Sequence, residues 1–171
     1  CSSPFFKRAM RGVNRKKQFK VIECLRCGLG IIEPTQQVNY RKYSISFYVE
    51  NQELFKRYME EIIEYVFLYK QKGRLLDIGA NIGLLVFLAN QRGYEAEGME
   101  TSKDAIKFGR EKFGIKYYEV KKENFNNFNR IKRNFDVVTM NHVLEHIKMP
   151  QDFLKQVSKV MADRAIIVIA V

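Results

Sequence analysis

Three cysteines in 171 residues are too few, and odd in number, for a disulfide framework. A cytoplasmic protein with reduced thiols is the expectation that follows. No apolar stretch approaches the roughly 18 residues that a membrane-spanning helix requires, so no membrane segment is expected. The start, Cys1-Ser2-Ser3-Pro4, runs into charge rather than an apolar stretch, so no signal peptide is visible. Internal repeats and low-complexity tracts are lacking too. Histidine occurs twice only, and both residues fall in one five-residue segment.

What is present describes a folded chain. Hydrophobic residues make up 46% and aromatics 13%, enough for a buried core and too much for general disorder. At a prior of about 150 residues per domain, the length allows one domain and a small appendage. Thirty basic against nineteen acidic side chains leave a net charge of +11. Residues 1–30 hold eight basic and one acidic side chain, whereas the other 141 hold 22 and 18. The excess is therefore local, unlike that of a uniformly basic nucleic-acid binder. There is no initiator Met, and the end, Ala165-Ile166-Ile167-Val168-Ile169-Ala170-Val171, reads as a central strand. Left on a sheet edge, such a strand invites aggregation, so the chain reads as part of a longer protein.

Residues 1–38 are short of regular periodicity and carry Cys24-Leu25-Arg26-Cys27-Gly28. From Gln52 to Lys72, apolar Leu54, Phe55, Tyr58, Met59, Ile62, Ile63 and Val66 recur at three- and four-residue steps, which predicts a helix ended by Gly73. Residues 39–73 are thus a linker and a helix. Beyond them, apolar runs at 75–78, 96–99, 116–120, 135–140 and 165–171 alternate with helical stretches near 83–92, 102–113, 142–147 and 150–161. Thr101 or Ser102 can cap the second of these helices, and Pro150 suits the first turn of the last. Alternating strands and helices predict a doubly wound α/β domain with a mostly parallel sheet over 74–171.

The most informative segment is Leu75-Leu76-Asp77-Ile78-Gly79-Ala80-Asn81-Ile82-Gly83-Leu84: a strand, a turn with two glycines, and an apolar helix. Glycines there let the backbone turn sharply and approach a ligand. The dinucleotide fingerprint needs Gly at its first, third and sixth positions, and Asn81 and Leu84 occupy the last two. No Lys-Ser/Thr pair makes a phosphate loop. The pattern that fits is acidic-x-Gly-x-x-x-Gly, with Asp77 at the strand end. An anion beside the loop suits a cationic ligand better than pyrophosphate. Glu100 ends the next strand 17 residues past Gly83, near the ~20-residue offset at which a carboxylate accepts ribose hydroxyls.

Residues 75–171 resemble the class I S-adenosylmethionine (SAM)-dependent methyltransferases. Leu75–Gly83, Gly98–Ser102 and Phe135–Ile147 carry the resemblance. It implies a sheet of strand order 3-2-1-4-5, here without the family's terminal strands. It further implies that Gly79, Ala80 and Gly83 lie against the methionine part of SAM, with Asp77 near its amino group and Glu100 on the ribose diol. Asn81 stands where that family usually has a third glycine, and Asn tolerates the backbone angles this requires. Adenine contacts would follow the third strand at Lys121-Lys122-Glu123-Asn124, with Glu123 the acidic candidate. Asn141 and His142 would line the cofactor and acceptor side.

His142-Val143-Leu144-Glu145-His146 also matches an inverted zinc-protease motif, in which two His four apart on one helical face bind zinc. The segment begins at a strand end, and no third histidine exists to complete the set. Methyl transfer gives it a more economical role. An alcohol, phenol or acidic carbon must lose a proton, and imidazole does this near neutral pH. His142 is the first candidate for general base, with Glu145 and His146 as alternates.

Cys24-x-x-Cys27-Gly is half of a zinc ribbon, and Cys1, 23 positions earlier, suits the second cysteine of an upstream knuckle. Residues 1–38 are accordingly expected to be an incomplete zinc-ribbon-like module with structural zinc. The basic cluster Lys7, Arg8, Arg11, Arg15, Lys16, Lys17 and Lys20 suggests contact with a phosphate-bearing substrate or RNA. The leading expectation is methyl transfer from SAM to an oxygen or carbon of a small molecule, a sugar or quinol-like acceptor. The rivals are an RNA methyltransferase and a non-catalytic cofactor-binding or interaction domain.

Overall fold

The structure, a computed structural model, describes residues 6–14, 17–26, 30–33, 45–121, 125, 128, 129, 131 and 134–171, without the side chains of 6–14, 17–20, 22 and 31–33. It divides into two compact units, Cys1–Tyr40 and Arg41–Val171.

In the first unit, β1 (Phe6–Asn14), β2 (Lys17–Cys24) and β3 (Gly30–Glu33) form an antiparallel meander in that order. The sequence reading found no regular periodicity here. A register shift between Arg8 and Met10 explains why, because it breaks the two-residue alternation that marks a strand.

The second unit opens with α1 (Ile45–Glu50) and α2 (Gln52–Tyr69). Then β4 (Arg74–Ile78), α3 (Leu84–Gln91), β5 (Glu95–Glu100), α4 (Lys103–Phe113) and β6 (Tyr117–Glu119) alternate. They are followed by β7 (Phe135–Asn141), a 3-10 turn at Leu144–His146, α5 (Pro150–Ser158) and β8 (Met161–Ala170). The five strands are all parallel, in the order β6-β5-β4-β7-β8, the expected 3-2-1-4-5.

Alternation along the strands splits the core between the two sheet faces. Leu75 and Val137 face one cluster, with Ile63 and Val66 of α2 and Leu85, Val86 and Ala89 of α3. Leu76, Ile78, Val138 and Met140 face the other, with Phe153 and Val157 of α5. Caps fix several boundaries. Ser102 Oγ accepts the Ala105 N–H at 3.3 Å, and Pro150 occupies the first turn of α5.

Three boundaries differ from expectation. The helix of 52–72 stops at Tyr69, because Lys70 is already extended (φ −148°). Gly73 instead serves the entry to β4: at φ +127° it lies so close to Asp136 that a Cβ would sit 2.9 Å from the Asp136 Cβ. The last strand begins at Met161, and the irregular stretch before Ile166, with Arg164 at φ +57°, hid its start. Finally, 142–147 holds a single 3-10 turn rather than an α-helix. β8 borders the sheet, with Ile167 and Ile169 more than a third exposed.

Candidate active site

The C-terminal ends of parallel β4, β5 and β7 lie side by side, which gathers the loops that follow them on one sheet edge. The loop after β4 is held by its own backbone. Gly79 N–H and Ala80 N–H both donate to the Met99 carbonyl of β5, at 2.8 and 3.1 Å, and Gly83 N–H donates to Ala80 O at 2.8 Å. Gly79, Asn81 and Gly83 all take left-handed backbone angles, at φ +78°, +49° and +81°. The expected tolerance of Asn for that position is realised at Asn81. Gly79 has a second constraint: a Cβ there would approach Val143 Cγ2 to 2.5 Å.

Two carboxylates flank this loop. Asp77 is buried, 4% exposed, as the second-last residue of β4 before the glycines. Its register partner in β7 is Thr139, whose hydroxyl donates to Asp77 Oδ1 at 2.7 Å. Burial pushes the Asp77 pKa up to about 7; the Thr139 hydrogen bond opposes this and the Glu100 charge adds to it. On the other flank, Glu100 turns back toward the loop. Its Oε2 accepts the Asn81 N–H at 2.8 Å. Its Oε1 accepts Thr101 N–H at 2.6 Å, Ser102 N–H at 2.8 Å and the Thr101 hydroxyl at 3.2 Å.

The loop after β7 carries the other candidates. Asn141 ends the strand with its amide gripped by α2: Tyr58 Oη donates to Asn141 Oδ1 at 2.9 Å, and Asn141 Nδ2 lies 3.4 Å from Met59 Sδ. His142 is left-handed at φ +51° and donates its N–H to Ala170 O of β8 at 2.8 Å. Its ring stacks on Tyr58 with 6.4 Å between centroids, and its side chain is 62% exposed. His142 Nδ1 lies 3.2 Å from Glu145 Oε1, and His146 Nε2 lies 3.8 Å from the same oxygen. The two histidines therefore meet one carboxylate across a 3-10 turn. They do not share an α-helical face, so the premise of the inverted zinc-protease reading fails on secondary structure. Among the described residues, no group of three His, Cys, Asp or Glu side chains is placed to hold a metal.

Asp77, Gly79, Ala80, Asn81, Gly83 and Glu100 thus converge on the β4 and β5 ends, and Asn141, His142, Glu145 and His146 on the adjacent β7 end. Glu123 lies outside the described residues, as do Cys1 and Cys27. Cys24 is buried at the end of β2, and its sulfur accepts the Arg26 N–H at 3.4 Å. The side chains of the basic cluster from Lys7 to Lys20 are outside the description as well. Among the described residues, no helix is long and apolar enough to cross a membrane. Reading the sequence missed Thr139, Tyr58 and Met59, which support the candidates. Tyr58 and Met59 registered only as apolar positions of a helix, and Thr139 as part of a buried strand.

The open parallel sheet, the glycine turn and the carboxylate at the second strand end define a doubly wound α/β domain with its candidate site at the C-terminal strand ends. A family model described as a methyltransferase domain matches residues 48–171, and the chain belongs to that family. Its α/β domain has the class I fold of SAM-dependent methyltransferases. A TehB-like SAM-dependent methyltransferase from Corynebacterium glutamicum is similar in structure, with a TM-score of 0.59, 12% identity, and coverage of 73% of this chain and 71% of that one. A SAM-dependent methyltransferase from Archaeoglobus fulgidus gives a TM-score of 0.58 and 26% identity over 74% of this chain and 57% of that one. The plantazolicin methyltransferase BpumL, solved with S-adenosylhomocysteine, gives 0.59 and 22% over 77% and 53%. The chain thus spans little more than half the length of the last two. Comparison with curated proteins gives no match.

Proposed function

We propose that this chain binds SAM at the β4–β5 edge and moves its methyl group to an oxygen or carbon of a small-molecule acceptor, a sugar or quinol-like compound. SAM, when bound, supplies an electrophilic methyl on a positively charged sulfur. The residues present fit it. The bare loop of Gly79, Ala80 and Gly83 gives close backbone approach, and the buried Asp77 offers a carboxylate to an ammonium group. Glu100 carries the reading. Its carboxylate is aimed at the glycine loop rather than away from it, where a ribose diol on that loop would meet it. Among the described residues Oε2 has one protein donor and so keeps an acceptor site, while the Thr101 hydroxyl at 3.2 Å is the longest of the three contacts at Oε1.

The acceptor end is built for taking a proton. Glu145 facing Nδ1 of His142 favours the tautomer with the proton on Nδ1, leaving Nε2 as the base. His142 Nε2 removes the proton from an acceptor hydroxyl or acidic carbon, and Asn141 holds the neighbouring wall of the site. Positioning supplies much of the rest, since a displacement needs its nucleophile aligned.

Isothermal calorimetry with SAM and S-adenosylhomocysteine on the intact protein tests this. Saturable one-site binding is expected, weakened about tenfold or more in Glu100→Ala, as for a lost charged hydrogen-bond acceptor. Binding that is unchanged in Glu100→Ala removes the ribose assignment.

A further inference from the structure

Asn81 holds a backbone angle that glycine takes freely and other residues at a cost. The structure shows what holds it there. Its N–H is fixed by Glu100 Oε2 at 2.8 Å, and its carbonyl accepts the hydroxyl of Tyr117, the first residue of β6, at 3.0 Å. Both sides of one left-handed residue are therefore tied to neighbouring strands.

Three glycines from three elements make room for the tyrosine. Gly98 of β5 pairs in register with Tyr117, and a Cβ on it would sit 2.9 Å from the Tyr117 ring. A Cβ on Gly109 of α4 would come to 2.9 Å from Tyr117 Cζ and closer still to the hydroxyl. A Cβ on Gly83, at the start of α3, would also collide with that hydroxyl, and with Ile115 at 2.8 Å. The ring thus fills a slot beneath the loop, with its hydroxyl pointing up at Asn81. Burial raises the pKa of that hydroxyl further above its ordinary value, so it remains a donor.

We propose that Tyr117 is a positioning residue for the cofactor loop: its hydroxyl locks Asn81 left-handed and so sets the affinity for the nucleoside, from a place where it touches no part of the ligand. This rests on the SAM reading above and deepens it. The hydroxyl acts through Asn81, so its removal should matter only while residue 81 needs holding.

The test is a double-mutant cycle with two readouts on the intact protein. S-adenosylhomocysteine is titrated calorimetrically into the native protein, Tyr117→Phe, Asn81→Gly and the double variant. Amide hydrogen exchange across residues 79–83 is followed in the same four proteins without ligand. Tyr117→Phe is expected to weaken binding about fivefold, the loss of one neutral hydrogen bond, and to speed exchange in the loop. With Gly at position 81, the same change should cost less than about twofold. A Tyr117→Phe variant with native affinity and native loop exchange overturns the proposal, and so does an equal penalty in both backgrounds. Should none of the four proteins bind S-adenosylhomocysteine, the SAM reading falls. The exchange rates then still decide whether Tyr117 holds the loop.

Discussion

Replacing Asp77 by Asn should stabilise the protein at alkaline pH and leave its stability little changed in acid. In the folded chain, burial holds the Asp77 pKa up at about 7, whereas an exposed aspartate in the unfolded chain titrates near 3.8. Between these values the native state keeps a proton that the unfolded state has released. Stability must then fall as pH rises through that window, and the loss is complete above pH 7. Three units at 1.36 kcal/mol each set an upper bound on the order of 4 kcal/mol, which relaxation and water entry reduce. Asn keeps the shape and the acceptor for the Thr139 hydroxyl, and it has no charge to desolvate. Urea unfolding of native and Asp77→Asn proteins from pH 4 to 8.5 measures the difference directly. The two should coincide near pH 4, diverge up to pH 7, and run parallel above it. A native-like pH profile in Asp77→Asn would show that Asp77 is not the group held protonated. The same change should weaken S-adenosylhomocysteine binding, because the carboxylate proposed to meet the ligand's ammonium is gone. Gain in stability with loss of affinity is the signature of a charge kept in a costly place for a ligand.

Three further outcomes follow from the geometry. His142→Asn should lower kcat by about 10²–10⁴-fold, the range for a lost general base, with S-adenosylhomocysteine affinity within about twofold of native; near-native turnover would remove the assignment, and Glu145→Gln should give a smaller loss in the same direction. Gly79→Ala combines a left-handed backbone with a Cβ 2.5 Å from Val143 Cγ2, and should cost about 2 kcal/mol or more in urea unfolding; a variant as stable as the native protein would refute the close packing. Tyr58→Phe removes the donor to Asn141 and keeps the ring over His142, so a loss of about 1 kcal/mol is expected, and an unchanged urea midpoint would show that bond to be idle.

The sheet was legible because each of its buried strands is a short apolar run closed by a turn, as a two-faced parallel sheet demands. Strand order came from the resemblance to class I methyltransferases and not from the pattern of runs and turns, which fixes no order. The glycine loop was legible for a similar reason: strand, turn and carboxylate are local, so spacing alone relates them. Its supports were not. Thr139 lies 62 residues from Asp77, Tyr117 lies 36 from Asn81, and Tyr58 lies 83 from Asn141. Each pair is made by the fold, and no periodicity announces it. The strands of the first unit show no regular periodicity in sequence for another reason: a register shift between Arg8 and Met10 interrupts the alternation within the three-stranded meander. At 142–147 the apolar pattern suggested a helix, yet His142 is left-handed and only a 3-10 turn follows.

That left-handed His142 bears on what the segment is for. A non-glycine residue in this region costs roughly 1–2 kcal/mol, and such outliers persist only where surrounding contacts over-determine them. Here three elements meet His142: β8 takes the backbone N–H, Glu145 of the 3-10 turn meets Nδ1, and the Tyr58 ring of α2 lies alongside with 6.4 Å between centroids. Yet the side chain they fix is mostly exposed, so the arrangement buries little apolar surface in return. A residue serving only to end a strand would need none of these restraints. The base proposed for His142 must present Nε2 to an incoming acceptor, and these contacts serve that proposal by limiting rotation of the ring. The restraint from α2 has a consequence for specificity. Since Tyr58 and Met59 hold Asn141, and Tyr58 also faces His142, exchanges in α2 should change acceptor choice without disturbing the β4–β5 carboxylates proposed to grip the nucleoside.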